Sequence, residues 1–334
     1  MIQEKFGKNN FSVTPMGLGL AALGRPGYIN LGHANDLKKN YDVSTMEAHA
    51  HTILDAAWDA GIRYYDVARS YGRAEDFLCS WLAKRNIDPK LIVVGSKWGY
   101  TYTADWKVTV PDGQKHEVKK HSIMVLEKQI QESKALLGDY LDLYQIHSAT
   151  LDSGVLSNQD VLGKLAGLCE RGLAIGFSVS GAQQAETIWR ALDIKFDGEL
   201  LFTSVQATWN LLEQSATSAL QAAHEAGLGI IIKEALANGR LTPRNISRAF
   251  QPQMALLKSE AKALDTTVDA LALAAVLHQP FVNTVLSGAA RIDHLQSNLD
   301  ALEIVWDDGL ENMLETLFEP NELYWRKRSQ MAWN

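Results

Sequence analysis

A (β/α)8 TIM barrel, with an N-terminal hairpin and elaborated loops at the C-terminal face of its strands, is the fold this sequence predicts. Eight short runs, β-branched or Leu-rich inside, are spaced along the chain, each followed by a helical stretch. Strands separated by helices pair in parallel, and runs apolar on both faces fit a closed or doubly covered sheet. In 334 residues, eight such units favour a barrel over an open doubly wound sheet, in one domain spanning 1–334.

The elements follow in order. Residues 3–14 read as a hairpin turning at Gly7-Lys8-Asn9-Asn10, and a first strand lies near residues 16–21. After a Gly/Asn-rich loop, Ser44 with Glu47 three residues on has the capping-box spacing and predicts a helix to about residue 60. The next strand, 62–65, ends on the carboxylate of Asp66. A helix over 74–84 and a strand ending at Lys97 come next, and then a polar, aromatic segment, 98–120, with no helical pattern. Helix 122–137 precedes a strand ending at His147; helix 158–169 precedes strand 173–180; helix 183–192 precedes strand 201–206. Helix 213–226 leads to strand 228–235, and helical stretches 252–264 and 268–278 lead to the last strand, 282–288. A final helix, 293–304, is followed by a polar tail holding Tyr324, Trp325 and Trp333.

Composition narrows the function. The chain is 46% hydrophobic, 21% charged and carries a net charge of -7, without a long Lys/Arg block. That balance argues against nucleic acid and anionic membranes as partners. Cys79 and Cys169 make no disulfide framework, and no Cys/His spacing predicts a metal site. The N-terminus lacks the apolar core of a signal peptide, and no apolar run approaches the roughly 20 residues that span a bilayer. The expectation is a soluble, cytoplasmic protein acting on a small molecule; its oligomeric state leaves no mark in the sequence.

The chemistry gathers at strand ends, where a barrel of this kind builds its active site. The second strand ends in Asp66, with Tyr71 in the loop beyond; the third ends at Lys97 and the fourth at His147. Neighbouring parallel strands lie about 4.8 Å apart, close enough to place these side chains around one point. Lys97 beside Tyr71 is expected to favour phenolate, with Asp66 holding the lysine charged. His147 would orient a carbonyl oxygen, and Tyr71 would act as acid in reduction and base in oxidation. Such a site handles a proton. The hydride must come from a nicotinamide cofactor, because no side chain supplies one.

These motifs resemble the aldo-keto reductase family across nearly the whole chain, in the bacterial branch of sugar dehydrogenases and pyridoxal-type reductases. They are MGLGLAALG, GIRYYDVARSYG, VVGSKWG, LLGDYLDLYQIHS, GFSVS and VLSGAARIDHLQSNL, in family order. The resemblance implies a catalytic tetrad of Asp66, Tyr71, Lys97 and His147. It also implies NADP, or alternatively NAD, lying across the barrel mouth without a Rossmann domain, and the chain has no GxGxxG between a strand and a helix. By the same resemblance Ser178 and Gln206 hold the carboxamide, and Leu236 and Gly239 in the loop after the seventh strand run along the pyrophosphate. Ser287, Gly288 and Asn298 hold the adenosine phosphate at a helix N-terminus. Arg291 either grips a 2′-phosphate or faces solvent.

Three positions depart from the family pattern. Lys233 stands where many relatives place an aromatic under the nicotinamide, Ser287-Gly288 replaces PG or PK, and Ser297 replaces an acidic residue. Trp98 and Tyr100, with Tyr102 and Trp106, either wall the substrate site or pack their loop onto the rim. Tyr28 and His33 pose a similar choice, with a structural role favoured. His116 and His121 read as surface residues, and Trp325 and Trp333 as folding over the mouth or forming an oligomer contact. The expected function is NAD(P)H-dependent reduction of an aldehyde or ketone. The alternatives are oxidation of a sugar or alcohol, or a cofactor-sensing partner subunit.

Overall fold

In a computed structural model describing residues 1–334, eight parallel strands close into a barrel. They are β1 (Met16–Gly19), β2 (Tyr64–Asp66), β3 (Val93–Trp98), β4 (Leu141–Ala149), β5 (Ala174–Val179), β6 (Ser204–Thr208), β7 (Gly229–Lys233) and β8 (Thr284–Ser287). They run in chain order around the ring, and β8 closes on β1 with Leu286 opposite Gly17. Besides a one-turn helix at His33–Asp36, nine longer helices follow the strands: α1 (Val43–Asp59), α2 (Ala74–Arg85), α3 (Ile123–Leu137), α4 (Gln159–Cys169), α5 (Gln184–Leu192), α6 (Thr217–Glu225), α7 (Gln251–Ala263), α8 (Val268–Leu277) and α9 (Ile292–Asp300).

The period-two alternation of the strands explains the layering. Leu18, Tyr65, Val94, Ile146, Phe177, Val205, Ile232 and Val285 point outward and join the helix faces in one continuous apolar core. Each such side chain contributes about 1.5–3 kcal/mol by leaving water. Inside the barrel, Tyr64 fills the space that glycines leave. A Cβ on Gly95 would lie 2.6 Å from the Tyr64 hydroxyl oxygen, and one on Gly17 2.7 Å from its ring. Phe6 and Val13 of the N-terminal hairpin (Glu4–Lys5 with Ser12–Val13) join Tyr64, Leu143 and Ile231 to seal the floor. The Lys8 N–H donates to the Gly227 carbonyl at 2.9 Å and holds the hairpin there. The open end of the barrel is therefore the one where the strands finish.

Four local expectations change. The cap of α1 is Asp42, whose carboxylate accepts the Thr45 N–H at 2.9 Å, while Ser44 merely donates its hydroxyl to the same carboxylate. Glu47 makes no capping box and instead accepts from Ser80 at 2.6 Å. Helix α6 starts at Thr217 because Glu213 is bridged to Asn210 in a tight turn before it. The segment 98–120 carries a hairpin, Tyr100–Tyr102 with Glu117–Lys119. The polar tail folds into α10 (Asp308–Leu314) and α11 (Asn321–Ser329), which bury Leu310, Leu314, Tyr324 and Trp325 in a second apolar cluster. No helix is long and apolar enough to cross a membrane.

Candidate active site

Asp66, Tyr71, Lys97 and His147 meet at the open end. Asp66 ends β2, and β3 beside it turns Lys97 inward, so the ammonium donates to Asp66 Oδ1 and, at 3.0 Å, to the Val67 carbonyl. Both side chains are buried. Asp66 Oδ2 also accepts from Gln206 at 2.8 Å and from the Tyr64 hydroxyl at 3.3 Å. The Tyr71 ring lies 4.8 Å from the Lys97 ammonium, and its hydroxyl is 3.5 Å from His147 Nε2. His147 Nδ1 sits 3.4 Å from the Ser70 hydroxyl.

The electrostatics correct one expectation. Lys97 does not draw Tyr71 toward phenolate. Burial pushes the phenol well above its usual range, with Asp66 adding to the rise and Arg25 opposing it. Desolvation of the buried phenol outweighs the lowering by Arg25. Lys97 itself is lowered by burial, against the pull of Asp66. Burial, with Lys97, Arg25 and Lys233 nearby, holds His147 well below the usual histidine range. At neutral pH the site therefore presents a protonated phenol beside a neutral imidazole.

A cavity of about 620 Å³ opens above these groups, within the size range of ligand pockets. Tyr100, Gln206, Lys233, Leu236, Gly239, Ser287, Gly288 and Asn298 line it. Three other candidates do not. Strand alternation sends Trp98 outward from Lys97 into the apolar core, with its ring edge against His121 at 5.6 Å. Ser178 is fully buried and accepts the Ser148 N–H at 2.8 Å. Arg291 is half-exposed and holds Asp293 through two hydrogen bonds of 2.7 and 2.8 Å. Gln206 gives its amide N–H to Asp66, which leaves its carbonyl oxygen for the cavity.

Several residues that sequence reasoning missed take part. Arg25, 3% exposed, sits among the rings of Tyr28, Tyr71 and Trp333 at 5.3, 5.2 and 4.8 Å. It donates to the Ser70 carbonyl and to Glu117. Arg244 pairs with Asp36, donates to the Leu31 carbonyl at 2.9 Å and lies 3.2 Å from His294, joining the β1 and β7 loops at the far end of the cavity. Glu234 follows Lys233 in a left-handed conformation (φ 54°) and turns onto Arg328 of α11 at 2.5 Å. The side-chain oxygens of Asn238 and Asn298 are buried without a partner, and both residues line the cavity.

The C-terminal segment covers one side of the mouth. Trp333 stacks on His116 at 4.1 Å, and Asn334 exchanges backbone hydrogen bonds of 3.1 Å with Tyr28. Trp325 lies in the second apolar cluster instead. His116 and His121 are half-buried rather than surface groups; His121 Nε2 is 2.9 Å from the His147 carbonyl, and burial lowers its pKa to about 4. His33 is fully buried, with its ring edge against Tyr28 at 5.9 Å.

Comparison with known proteins agrees with this architecture. Residues 15–316 match the model of the Aldo/keto reductase family. A D-threo-aldose 1-dehydrogenase of a Pseudomonas species is 29% identical over 320 residues, covering 86% of this chain and 92% of the relative. Protein tas of Escherichia coli is 27% identical, covering 82% and 90%. The holo form of an aldo-keto reductase from Bacillus halodurans superposes with a TM-score of 0.72 at 21% identity, covering 96% of this chain and 97% of that one, and shares the fold. Matched over nearly its whole length and closed into the same barrel, the chain belongs to the aldo/keto reductase family of oxidoreductases.

Proposed function

We propose that the protein reduces an aldehyde or ketone with a bound nicotinamide dinucleotide, Tyr71 giving the proton. The observation that carries this reading is the Tyr71 hydroxyl 3.5 Å from His147 Nε2, both facing the cavity with the Lys97–Asp66 pair behind. A carbonyl oxygen lodged between them accepts one hydrogen bond from Tyr71 and a second from the imidazole when its Nε2 carries the hydrogen. As the oxygen gains negative charge, Lys97 stabilises the phenolate that remains.

The cavity fits the cofactor. Two unpartnered amide oxygens, Asn238 Oδ1 and Asn298 Oδ1, suit amino and hydroxyl groups, and a Cβ at Gly288 would meet nothing within 4 Å. Leu236, Gly239, Ser287, Gly288 and Asn298 would hold the dinucleotide, which supplies the hydride when bound. Arg291 and Arg244 are tied to Asp293 and Asp36, so a 2′-phosphate meets two preformed ion pairs. NADPH should therefore gain little over NADH, with dissociation constants within about tenfold of each other.

Tyr71→Phe tests the reading. It should leave nucleotide binding, followed by tryptophan quenching, within twofold, while kcat for aldehyde reduction falls by about 10²–10⁴. Full turnover in the variant refutes the role of Tyr71. A second reading, oxidation of an aldose, draws on the similarity to D-threo-aldose 1-dehydrogenase and uses the same groups in reverse.

A further inference from the structure

Lys233 lines the cavity but has no part in the proton chemistry. It ends β7 in register with Thr208 at the tip of β6, and its ammonium makes a single hydrogen bond, to Thr208 Oγ1 at 2.9 Å. The other cations of the site each hold a carboxylate: Arg25 with Glu117, Arg244 with Asp36, Arg328 with Glu234, and Lys97 with Asp66. Lys233 forms no ion pair. Glu234, next in the chain, gives its carboxylate to Arg328 and acts on Lys233 only through space. The base of the cavity therefore carries a positive charge that no bonded anion neutralises.

Its position matters because of what has to pass over it. A carbonyl held by Tyr71 and His147 would need the hydride-bearing nicotinamide bound beside it. The unpartnered Asn298 and the Ser287–Gly288 turn lie after β8, and β7 stands between that end and Gln206 on β6. A dinucleotide reaching from Asn298 to Gln206 would pass the tip of β7. Oxidised nicotinamide carries a positive charge. On taking a hydride, two electrons and a proton, from an alcohol carbon it would become neutral, while the hydroxyl proton would pass to the Tyr71 phenolate, the form Tyr71 must hold in that direction. A neighbouring cation repels only the oxidised form.

Resting on the nicotinamide reading above, we propose that Lys233 biases the bound cofactor towards its reduced form and so biases the enzyme towards carbonyl reduction. Burial, opposed by Glu234 and assisted by Arg328 and Lys97, lowers the Lys233 pKa to about 8, so the side chain is mostly charged at pH 7.

The test measures dissociation constants of the oxidised and reduced nucleotides for the purified protein at pH 7 by tryptophan quenching. Wild type should bind the reduced form tighter. Lys233→Met and Lys233→Gln should each shrink the oxidised-to-reduced ratio of dissociation constants by about tenfold, equivalent to about 30 mV for a two-electron couple. Lys233→Arg should keep the wild-type ratio. If both forms bind and the ratio stays within twofold in the two neutral variants, the proposal is overturned while the nicotinamide reading stands. If neither form binds wild type, both fall.

Discussion

Removing one member of the buried Asp66–Lys97 pair is expected to cost unequally. In Lys97→Met, Asp66 keeps Gln206 at 2.8 Å and the Tyr64 hydroxyl at 3.3 Å as donors. Hydrogen bonds to a charged group contribute about 1.5–3 kcal/mol each, so the carboxylate remains largely satisfied. In Asp66→Asn, the ammonium loses its ion-pair partner and keeps the Val67 carbonyl at 3.0 Å and a neutral amide oxygen. Stranding a buried charge costs about 3–5 kcal/mol, against about 1–3 kcal/mol for the lysine variant. The gap, about 2 kcal/mol, is read from urea unfolding of both variants at pH 7.

The pH dependence supplies a second readout with a definite sign. Burial already lowers Lys97 in the wild type, and losing Asp66 lowers it further. A base whose folded pKa is depressed binds fewer protons folded than unfolded, so stability rises with pH up to the ordinary lysine value near about 10.4. Asp66→Asn should recover stability between pH 7 and pH 9.5 more steeply than wild type, and Lys97→Met should not recover. A lysine variant as damaged as the asparagine variant, or an asparagine variant with no alkaline recovery, would refute the assignment of the charge to Lys97.

Two further perturbations probe the surroundings. A Cβ on Gly24 would lie 2.3 Å from the Tyr71 carbonyl oxygen and 2.5 Å from the Ala74 Cβ. Gly24→Ala should therefore cost about 1–3 kcal/mol and, by displacing Tyr71, lower kcat by about 10²; wild-type turnover would show that the two loops are not packed this closely. His33 and His121, both lowered to about 4, and His147, lowered well below the usual histidine range, are held neutral by desolvation. The unfolded chain takes up their protons first, so their stability contribution is present above about pH 6.5 and lost towards pH 4. Asp142, raised to about 6, works in the opposite direction over the same range. The net expectation is a loss of about 3 kcal/mol between pH 6.5 and pH 5, and flat or rising stability on acidification would contradict it.

The barrel was legible because its determinants are local. Alternation and β-branching mark each strand in its own residues, and caps such as Ser122 and Asn158 accept from N–H groups three positions on. The misread segments are those where distant contacts decide the structure. Helices α10 and α11 have a polar sequence, yet Tyr324 is held by Asn210, 114 residues away, and Asn321 by the Ala182 carbonyl. The hairpin in 98–120 needs Arg25, 92 residues from Glu117, to anchor its second strand.

The same distinction divides the candidate site. Asp66, Tyr71, Lys97 and His147 each sit at or just beyond a strand tip, so topology alone brings them together. Trp98 was misplaced by one step of strand alternation, since the residue beside an inward lysine faces the helices. The roles of the charged residues depend on pairings that no local pattern reveals. Arg244 and Asp36 are 208 residues apart, and Glu234 and Arg328 are 94 apart. A charge census of the cavity shows arginines, lysines and carboxylates in near balance, and only the pairings identify Lys233 as the cation without a partner. The departure most visible in the sequence, a lysine in place of an aromatic, thus gains a chemical meaning from the three-dimensional bookkeeping of the other charges.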